Sequence, residues 1–429
     1  MTEVRRELNE IEYLNWCVAQ PYNMVVAVEI RGEIDPAGLR LALDKAQVRH
    51  PLLAVNTELG PNGVPWFSSS GVGAIPLRVV AEASHESALR FAEKELIASF
   101  ERDRAGPSRL PLIRVALFPP AGARETASLV LTVQHVIADG LSMVFLVRDL
   151  LHWLEQPDAA LPVLDAPARA EDLLPPAVRR RVSTSPTRFQ LVLALARLYS
   201  WLRQGLRFGA RAPAPEKHVL HHRTWVLTRE QTSALRARCR REGVSVHAAL
   251  CTAFLPAFPA IHTPVSLRPF LARPVGEALG LYVGAAEVKL AYRDTLGFWR
   301  NARRFRHRLG RRLRDPFGVF RLFSKAVPVE LVQQLGPLIV ELASGGRPFG
   351  ITNLGDLDAA GLGLGQGRLT IEAFFGAVMG IVDSSVVTTC TLGGRLRLHL
   401  LATETASCET AIRDDTEQAV RRLVAALDG

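Results

Sequence analysis

The sequence predicts an α+β protein built as two lobes, and three observations carry this. The chain has 429 residues, too many for one small core and suited to two domains of roughly 200 residues each. Strand-like apolar runs and helical spacings mix along it without strict βαβ alternation. Between them, Pro157 to Pro186 is rich in Pro, Ala and Arg, a natural seam. The lobes are then residues 1–155 and 216–429, joined by a linker and crossover helix over 156–215.

The elements follow in order. Met24-Val25-Val26-Ala27-Val28 and Ile30 read as a buried strand from Asn23 to Arg31. Asp35-Pro36 supplies an N-cap and a first-turn proline, and Leu39, Ala42, Leu43 and Ala46 keep helical spacing. His50-Pro51 ends that helix, because proline disfavours helix in the residue before it. Gly60 to Gly73 reads as a loop, Leu77 to Val80 as a short strand, and Ser84 to Ser99 as a helix. Leu112 to Phe118 and Leu129 to Gln134 read as antiparallel strands across a turn at Pro119-Pro120. After Gly140, Leu141, Phe145, Leu146 and Leu150 return to helical spacing. A Leu-rich crossover helix is expected from Arg188 to Phe208. In the second lobe Val219 to Leu227 is a strand, Thr228-x-x-Gln231 a capping-box helix start, and Ser245 a cap for a helix through Phe254. Arg293 to Arg314 carries nine arginines, with Phe298, Ala302, Phe305 and Leu309 making one face apolar. Strands are expected at Phe349 to Asn353, Leu369 to Phe375, Val386 to Leu392 and Arg395 to Leu401, and a last helix from Cys408 to Leu427.

Composition excludes several classes. With 48% hydrophobic and 22% charged residues the chain is neither disordered nor collagen-like. Five scattered cysteines contain no C-x-x-C clip, which argues against a disulfide scaffold and fits a reducing cytoplasm. The first residues run into polar sequence with no apolar signal core. No transmembrane span is expected, since the apolar stretch from Phe189 to Phe208 is broken by Arg197, Arg203 and Arg207. A peripheral membrane contact is the second reading of that stretch, behind a packed crossover helix. The net charge of +10 comes without any nucleic-acid-binding motif, so no nucleic-acid partner is expected. The arginine-rich helix reads first as a solvated face and second as a dock for an acidic carrier protein or for coenzyme A phosphates. His221-His222 has no acidic or cysteine ligand set nearby, so no metal is expected. The glycines at 361, 363, 365 and 367 lack a following Lys-Ser/Thr, and no G-x-S-x-G is present.

The sharpest local signal is Gln134-His135-Val136-Ile137-Ala138-Asp139-Gly140, where a strand ends and a helix begins. A chance His-x-x-x-Asp-Gly is expected about 0.03 times in a chain of this composition, so the motif is specific. An imidazole there takes a proton near neutral pH, the acid holds the local loop, and the glycine permits a close approach. The plain alternative is a strand-end histidine followed by an aspartate that caps the next helix.

His135-x-x-x-Asp139-Gly140 resembles the motif of the chloramphenicol acetyltransferase-like superfamily, which includes nonribosomal-peptide condensation domains, BAHD acyltransferases and polyketide-associated acyltransferases. Leu8 with Glu12 and Trp16, Gly32-Glu33-Ile34-Asp35 and Arg49-His50-Pro51-Leu52-Leu53 resemble its opening segments. Gly243 to Leu250, Ser266-Leu267-Arg268-Pro269 and Thr352-Asn353-Leu354-Gly355 resemble motifs of its second lobe. The resemblance implies two similar lobes in a V with an active-site tunnel at their junction. It implies His135 as general base within a His135–Asp139 catalytic motif, Asp139 being structural and paired with Arg268. Gly140 would leave room beside the reacting carbonyl, and Asn353 would lie near the tunnel. The activity implied is acyl transfer from a coenzyme A or acyl-carrier-protein thioester, the thioester being substrate, with no resident cofactor and an alcohol or amine as acceptor. Gln134 stands where condensation domains usually carry a first histidine, and the BAHD-specific DFGWG motif is missing. The first departure favours ester formation over amide-forming condensation, and the second implies a protein nearest the bacterial stand-alone polyketide-associated acyltransferases. An amide-forming enzyme, or a catalytically silent module that recruits a carrier protein, is the alternative.

Overall fold

A computed structural model of the chain describes residues 3–18, 23–60, 64–80, 85–100, 109–120, 126–165, 168–178, 219–316, 349–362, 367–378, 385–404 and 409–427. The expected crossover helix at 188–208, most of the seam, the glycines at 363 and 365 and Cys408 lie outside these residues.

The first half supplies β1 (Arg5–Glu7), α1 (Glu10–Val18), β2 (Asn23–Arg31), α2 (Pro36–Arg49), β3 (Asn56–Leu59), β4 (Pro65–Ser68), β5 (Leu77–Val79), α3 (His85–Leu96), β6 (Ile113–Phe118), β7 (Thr126–Gln134) and α4 (Gly140–Glu155). The second half supplies β8 (Val219–Val226), α5 (Arg229–Arg241), α6 (Val246–Phe254), β9 (Ala260–Ser266), β10 (Val283–Lys289), α7 (Gly297–Arg312), β11 (Phe349–Asp356), β12 (Thr370–Val378), β13 (Ser385–Leu392), β14 (Arg395–Glu404) and α8 (Glu409–Ala425). The α+β expectation holds. No helix among the described residues is long and apolar enough to cross a membrane.

Two sheets organise these elements. One has strand order β12-β2-β7-β6-β5 and the other β10-β9-β11-β13-β14-β8. In the first, β2, β7 and β6 pair antiparallel, with Asn23 opposite Gln134 and Arg31 opposite Thr126. The continuous apolar run of β2 has a simple cause: both its faces are covered. Val26, Val28 and Ile30 enter the main core with α2 and α4, while Val25 and Ala27 pack with Ala88, Ala92 and Leu96 of α3. Asp35 caps α2 by accepting from the Gly38 N–H at 2.8 Å, and Leu39, Ala42, Leu43 and Ala46 are the buried stripe. In the second sheet, β11 runs parallel to β13 and β9 while the other pairs are antiparallel. Thr228 and Gln231 close a reciprocal capping box at the start of α5.

The halves are interleaved. β12, from the second half of the chain, forms the edge of the first sheet, with Thr370 opposite Arg31 and Val378 opposite Met24. Its Phe374 is fully buried in the first lobe's core.

Two expectations are corrected. Gly60 to Gly73 is not wholly a loop: β4 lies within it, between β1 and β3 in a three-stranded sheet. Four residues are too few to show a period, and Phe67 is fully buried, so tertiary pairing rather than local pattern makes this strand. The basic helix starts at Gly297 rather than Arg293, because Asn301 turns back to bond the Arg293 backbone and holds Asp294 to Leu296 in a preceding 3₁₀ turn.

Phe374→Ala should cost about 3–5 kcal/mol, read as a lower denaturant midpoint. An unchanged midpoint would show that β12 does not anchor the first lobe.

Candidate active site

The site begins where β7 stops. Ile137 N–H donates to the Gln134 carbonyl at 3.1 Å, and the side chains of Val136, Ile137 and Ala138 are fully buried in the main core. This turn is held by packing, so His135 has a fixed origin. Its ring is half-buried, and Nδ1–H donates to the Ala138 carbonyl at 2.8 Å. A carbonyl only accepts, so the neutral ring carries its lone pair on Nε2. Burial lowers the His135 pKa, outweighing the Ala138 carbonyl and the Asp139 charge, which both act to raise it. The imidazole is therefore neutral at physiological pH.

Asp139 caps α4 and also clamps the two halves together. Its Oδ1 accepts from the Ser142 N–H at 2.8 Å and the Ser142 hydroxyl at 2.7 Å. From the second half, the Tyr282 N–H donates to Oδ2 at 3.1 Å, and the Arg268 guanidinium reaches Oδ1 at 3.2 Å. Arg268 also donates to the Ser142 hydroxyl at 2.9 Å and to the Ala278 carbonyl at 3.1 Å, and it lies over the Tyr282 ring at 4.7 Å. The Asp139 N–H in turn donates to the Gly280 carbonyl at 3.1 Å. The capping alternative and the ion-pair expectation therefore describe the same carboxylate, with its oxygens shared between both. A buried pair of this kind is favourable only when its hydrogen-bonding capacity is largely met; here both Asp139 oxygens and both Arg268 terminal nitrogens have partners, and Arg268 Nε has none.

A second network lies further along α4. Arg49 donates to Asp149 at 2.7 Å and to Glu277 at 2.7 Å, and His50 Nε2 lies 2.9 Å from Asp149. Arg148 bridges Asp149 at 2.8 Å and Glu277 at 2.7 Å. Burial acts to raise the Asp149 pKa, but hydrogen bonds from His50, Arg148 and Arg49 together hold it down to about 2. Burial likewise lowers His50 despite its carboxylate partner. Glu277 and Arg268 belong to one stretch of the second half, so a single loop grips α4 at its first turn and again at its third.

Gly140 opens α4 at a crowded point. A Cβ added there would stand 2.6 Å from Leu354 Cδ2, so the space beside this glycine is taken by a side chain of β11. Asn353, the preceding residue, accepts the Gly355 N–H on its side-chain oxygen at 2.8 Å, tightening the strand end. Asn353 and the start of α4 are thus neighbours through Leu354. Sequence reasoning missed Ser142, Tyr282, Asp149 and Glu277. Asp139-x-x-Ser142 was a usable cap signal for the first; the Tyr282 contribution is a backbone N–H, which no side-chain pattern encodes. Among the described residues no group of three or more His, Cys, Asp or Glu side chains could hold a metal ion.

Comparison with known proteins follows from this geometry. Residues 19–159 match the family model described as Condensation domain. Over 130 residues, 30% of this chain, the sequence is 38% identical to a protein described as a probable nonribosomal peptide synthetase from Salinispora arenicola, and it spans 2% of that relative's length. Polyketide synthase associated protein 5 from Mycobacterium tuberculosis superposes with a TM-score of 0.63 at 17% identity, covering 99% of this chain and 98% of the other. For the trichothecene 15-O-acetyltransferase from Fusarium sporotrichioides the TM-score is 0.66 at 13% identity, with 99% and 96% covered. The first condensation domain of the CDA synthetase gives 0.66 at 19%, with 98% and 95% covered. The fold is therefore like that of these condensation-domain and acetyltransferase structures, and the family model covers about a third of the chain.

Asp139→Ala should lower stability by about 3–5 kcal/mol, because Arg268 keeps a buried charge without its carboxylate. Thermal melting checks this, and a normal curve would remove the structural role. The Asp149 pKa is depressed in the folded state, so its contribution is full above the unfolded carboxylate value of ~4 and is lost as the pH falls towards about 2. Asp149→Asn should therefore flatten the acid limb of stability between about pH 4 and 2, measured by urea unfolding at several pH values.

Proposed function

We propose that the chain is an acyltransferase that moves an acyl group from a coenzyme A or acyl-carrier-protein thioester to a hydroxyl acceptor, in secondary-metabolite or lipid biosynthesis. The observation that carries this reading is the His135 ring: Nδ1–H is committed to the Ala138 carbonyl, and a lowered pKa leaves Nε2 basic and unprotonated. In the proposed reaction Nε2 takes the hydroxyl proton of the acceptor as its oxygen attacks the thioester carbonyl. The tetrahedral intermediate then collapses, the carbon–sulfur bond breaks, and the imidazolium returns the proton to the departing thiolate. The products are an ester and a free thiol, and the histidine is regenerated.

Asp139 takes no proton in this scheme. Both its oxygens are occupied by Ser142, Arg268 and Tyr282, so it acts as a positioning residue that fixes the turn holding His135. Gly140 and Asn353 are proposed to border the substrate path. Their closeness through Leu354 supports this, although in the free chain Leu354 fills the space the glycine leaves. The similarity to a named acetyltransferase and to a condensation domain supports a thioester donor, and Gln134 in place of a first histidine favours an ester over an amide.

The test is thiol release from a panel of acyl-coenzyme A and acyl-pantetheine donors with pooled alcohols and amines, the products being read by mass. His135→Ala should lower turnover by roughly 10²–10⁴ while leaving the melting temperature unchanged. Equal turnover by this variant would remove the general base from the mechanism. In the pH profile, activity should fall only below the usual imidazole range of ~6.5, since the base stays unprotonated to lower pH than a free histidine.

A further inference from the structure

The helix α7 and its approach carry a dense run of positive charge. From Lys289 to Arg314 there are ten basic residues and one acidic residue, Asp294, a net +9 in a chain whose total is +10. A second run, Arg179 to Arg223, also holds ten basic residues and one acidic residue, so α7 with its approach is one of two strongly basic stretches of the sequence.

The helix divides cleanly into two faces. Trp299, Ala302, Phe305 and Leu309 are buried against the second core, with α6 and β10. Arg300, Arg303, Arg306, Arg308, Arg311 and Arg312 are exposed on the other side. Arg303 is paired with Glu242, Arg306 bonds the Gly243 carbonyl and Arg308 the Lys289 carbonyl, which fixes three of the guanidiniums in place. Arg300, Arg311 and Arg312 have no acidic partner among the described residues. From Arg300 to Arg312 these residues extend over between three and four turns, about 18 Å at 1.5 Å per residue.

The row leads to the site. Arg304 reaches the Ala291 carbonyl and Arg308 the Lys289 carbonyl, so α7 runs antiparallel to β10. Past the end of the helix, the Pro316 carbonyl oxygen would lie 2.8 Å from a Cβ placed on Gly284. Gly284 is two residues from Tyr282, whose N–H binds Asp139. The basic ridge therefore ends beside the strand that completes the clamp.

We infer that the exposed face of α7 docks an acidic helix of an acyl carrier protein and so sets the direction from which the thioester arrives. This rests on the acyl-transfer reading for the partner's identity. The shape of the row favours a protein helix over other anions. Arg300, Arg304, Arg308 and Arg312 repeat at i and i+4 along α7, a spacing that matches carboxylates at i and i+4 on an opposing helix. A membrane-bound helix would turn apolar side chains outward, and those of α7 point inward.

The experiment compares the full chain with R300E/R311E/R312E, three exposed positions outside the His135 site. The apo form of a purified bacterial acyl carrier protein is titrated against each at low and at physiological ionic strength. Transfer is then measured from acyl-carrier, acyl-coenzyme A and acyl-pantetheine donors. The wild type should bind the carrier more tightly at low salt. The variant should bind it ~10-fold or more weakly, with a matching rise in KM for the acyl-carrier donor. Its acyl-pantetheine kinetics and melting temperature should not change. Absent or equal carrier binding overturns the inference. So does a loss confined to acyl-coenzyme A, which would make the row a phosphate site. Loss of binding to phosphatidylglycerol vesicles with carrier binding intact would make it a membrane contact and also overturn it. Failure of all donors in both proteins would remove the acyl-transfer reading alone, because the apo-carrier titration needs no chemistry.

Discussion

The ion pair between Asp139 and Arg268 is the constraint on which the rest of the site depends. It joins residues 129 positions apart, at the one place where a strand end, a helix start and the second half of the chain meet. Asp139 sits at the positive end of α4, where a carboxylate is stabilised by the orphan N–H groups of the first turn. Arg268 adds a full charge to that partial one, and the Ser142 hydroxyl fills the remaining gap between them. Because α4 starts at residue 140, fixing its first turn also fixes the turn from His135 to Ala138. The geometry of the His135 ring is thus set by a contact in which the ring takes no part.

Two further connections keep that contact in register. The buried Arg49–Asp149 pair, joined by the partly exposed Glu277, ties the end of α2 and the third turn of α4 to the same loop that carries Arg268. β12 enters the first sheet from the second half of the chain and pairs with β2 along its length. A displacement of one half against the other would break a sheet ladder, a buried ion network and the helix cap together. Such redundancy explains why charged groups are tolerated in this interior. Each has opposite charge and hydrogen-bond partners on more than one element, so none is left buried and unpaired.

Legibility in the sequence followed locality. The run from Gln134 to Gly140 could be read because its residues act within a few positions of one another. The cap of α2 by Asp35 and the box of Thr228 and Gln231 were readable for the same reason. β4 was missed because its existence depends on β1 and β3 rather than on its own four residues. This network was hidden because Arg49 lies 100 positions from Asp149 and Glu277 lies 129 positions from Arg148, and no period links them. Arg268 emerged only through family resemblance. The Gly280 and Tyr282 contacts are made by main-chain groups and leave no mark on side-chain identity at all.

Gln134 precedes His135 without entering the contacts that order the site. In β7 successive side chains alternate, so residue 134 shares the face of Thr132 and Val130, opposite that of Val133. It is buried at the register position facing Asn23. None of the contacts that order the site involves its side chain: the clamp is made by Asp139, Ser142, Arg268, Gly280 and Tyr282, and the His135 tautomer by Ala138. A neutral amide at 134 also adds no charge beside a ring whose pKa burial already lowers. Gln134 therefore leaves both the position and the basicity of His135 to groups that lie downstream of it in the chain.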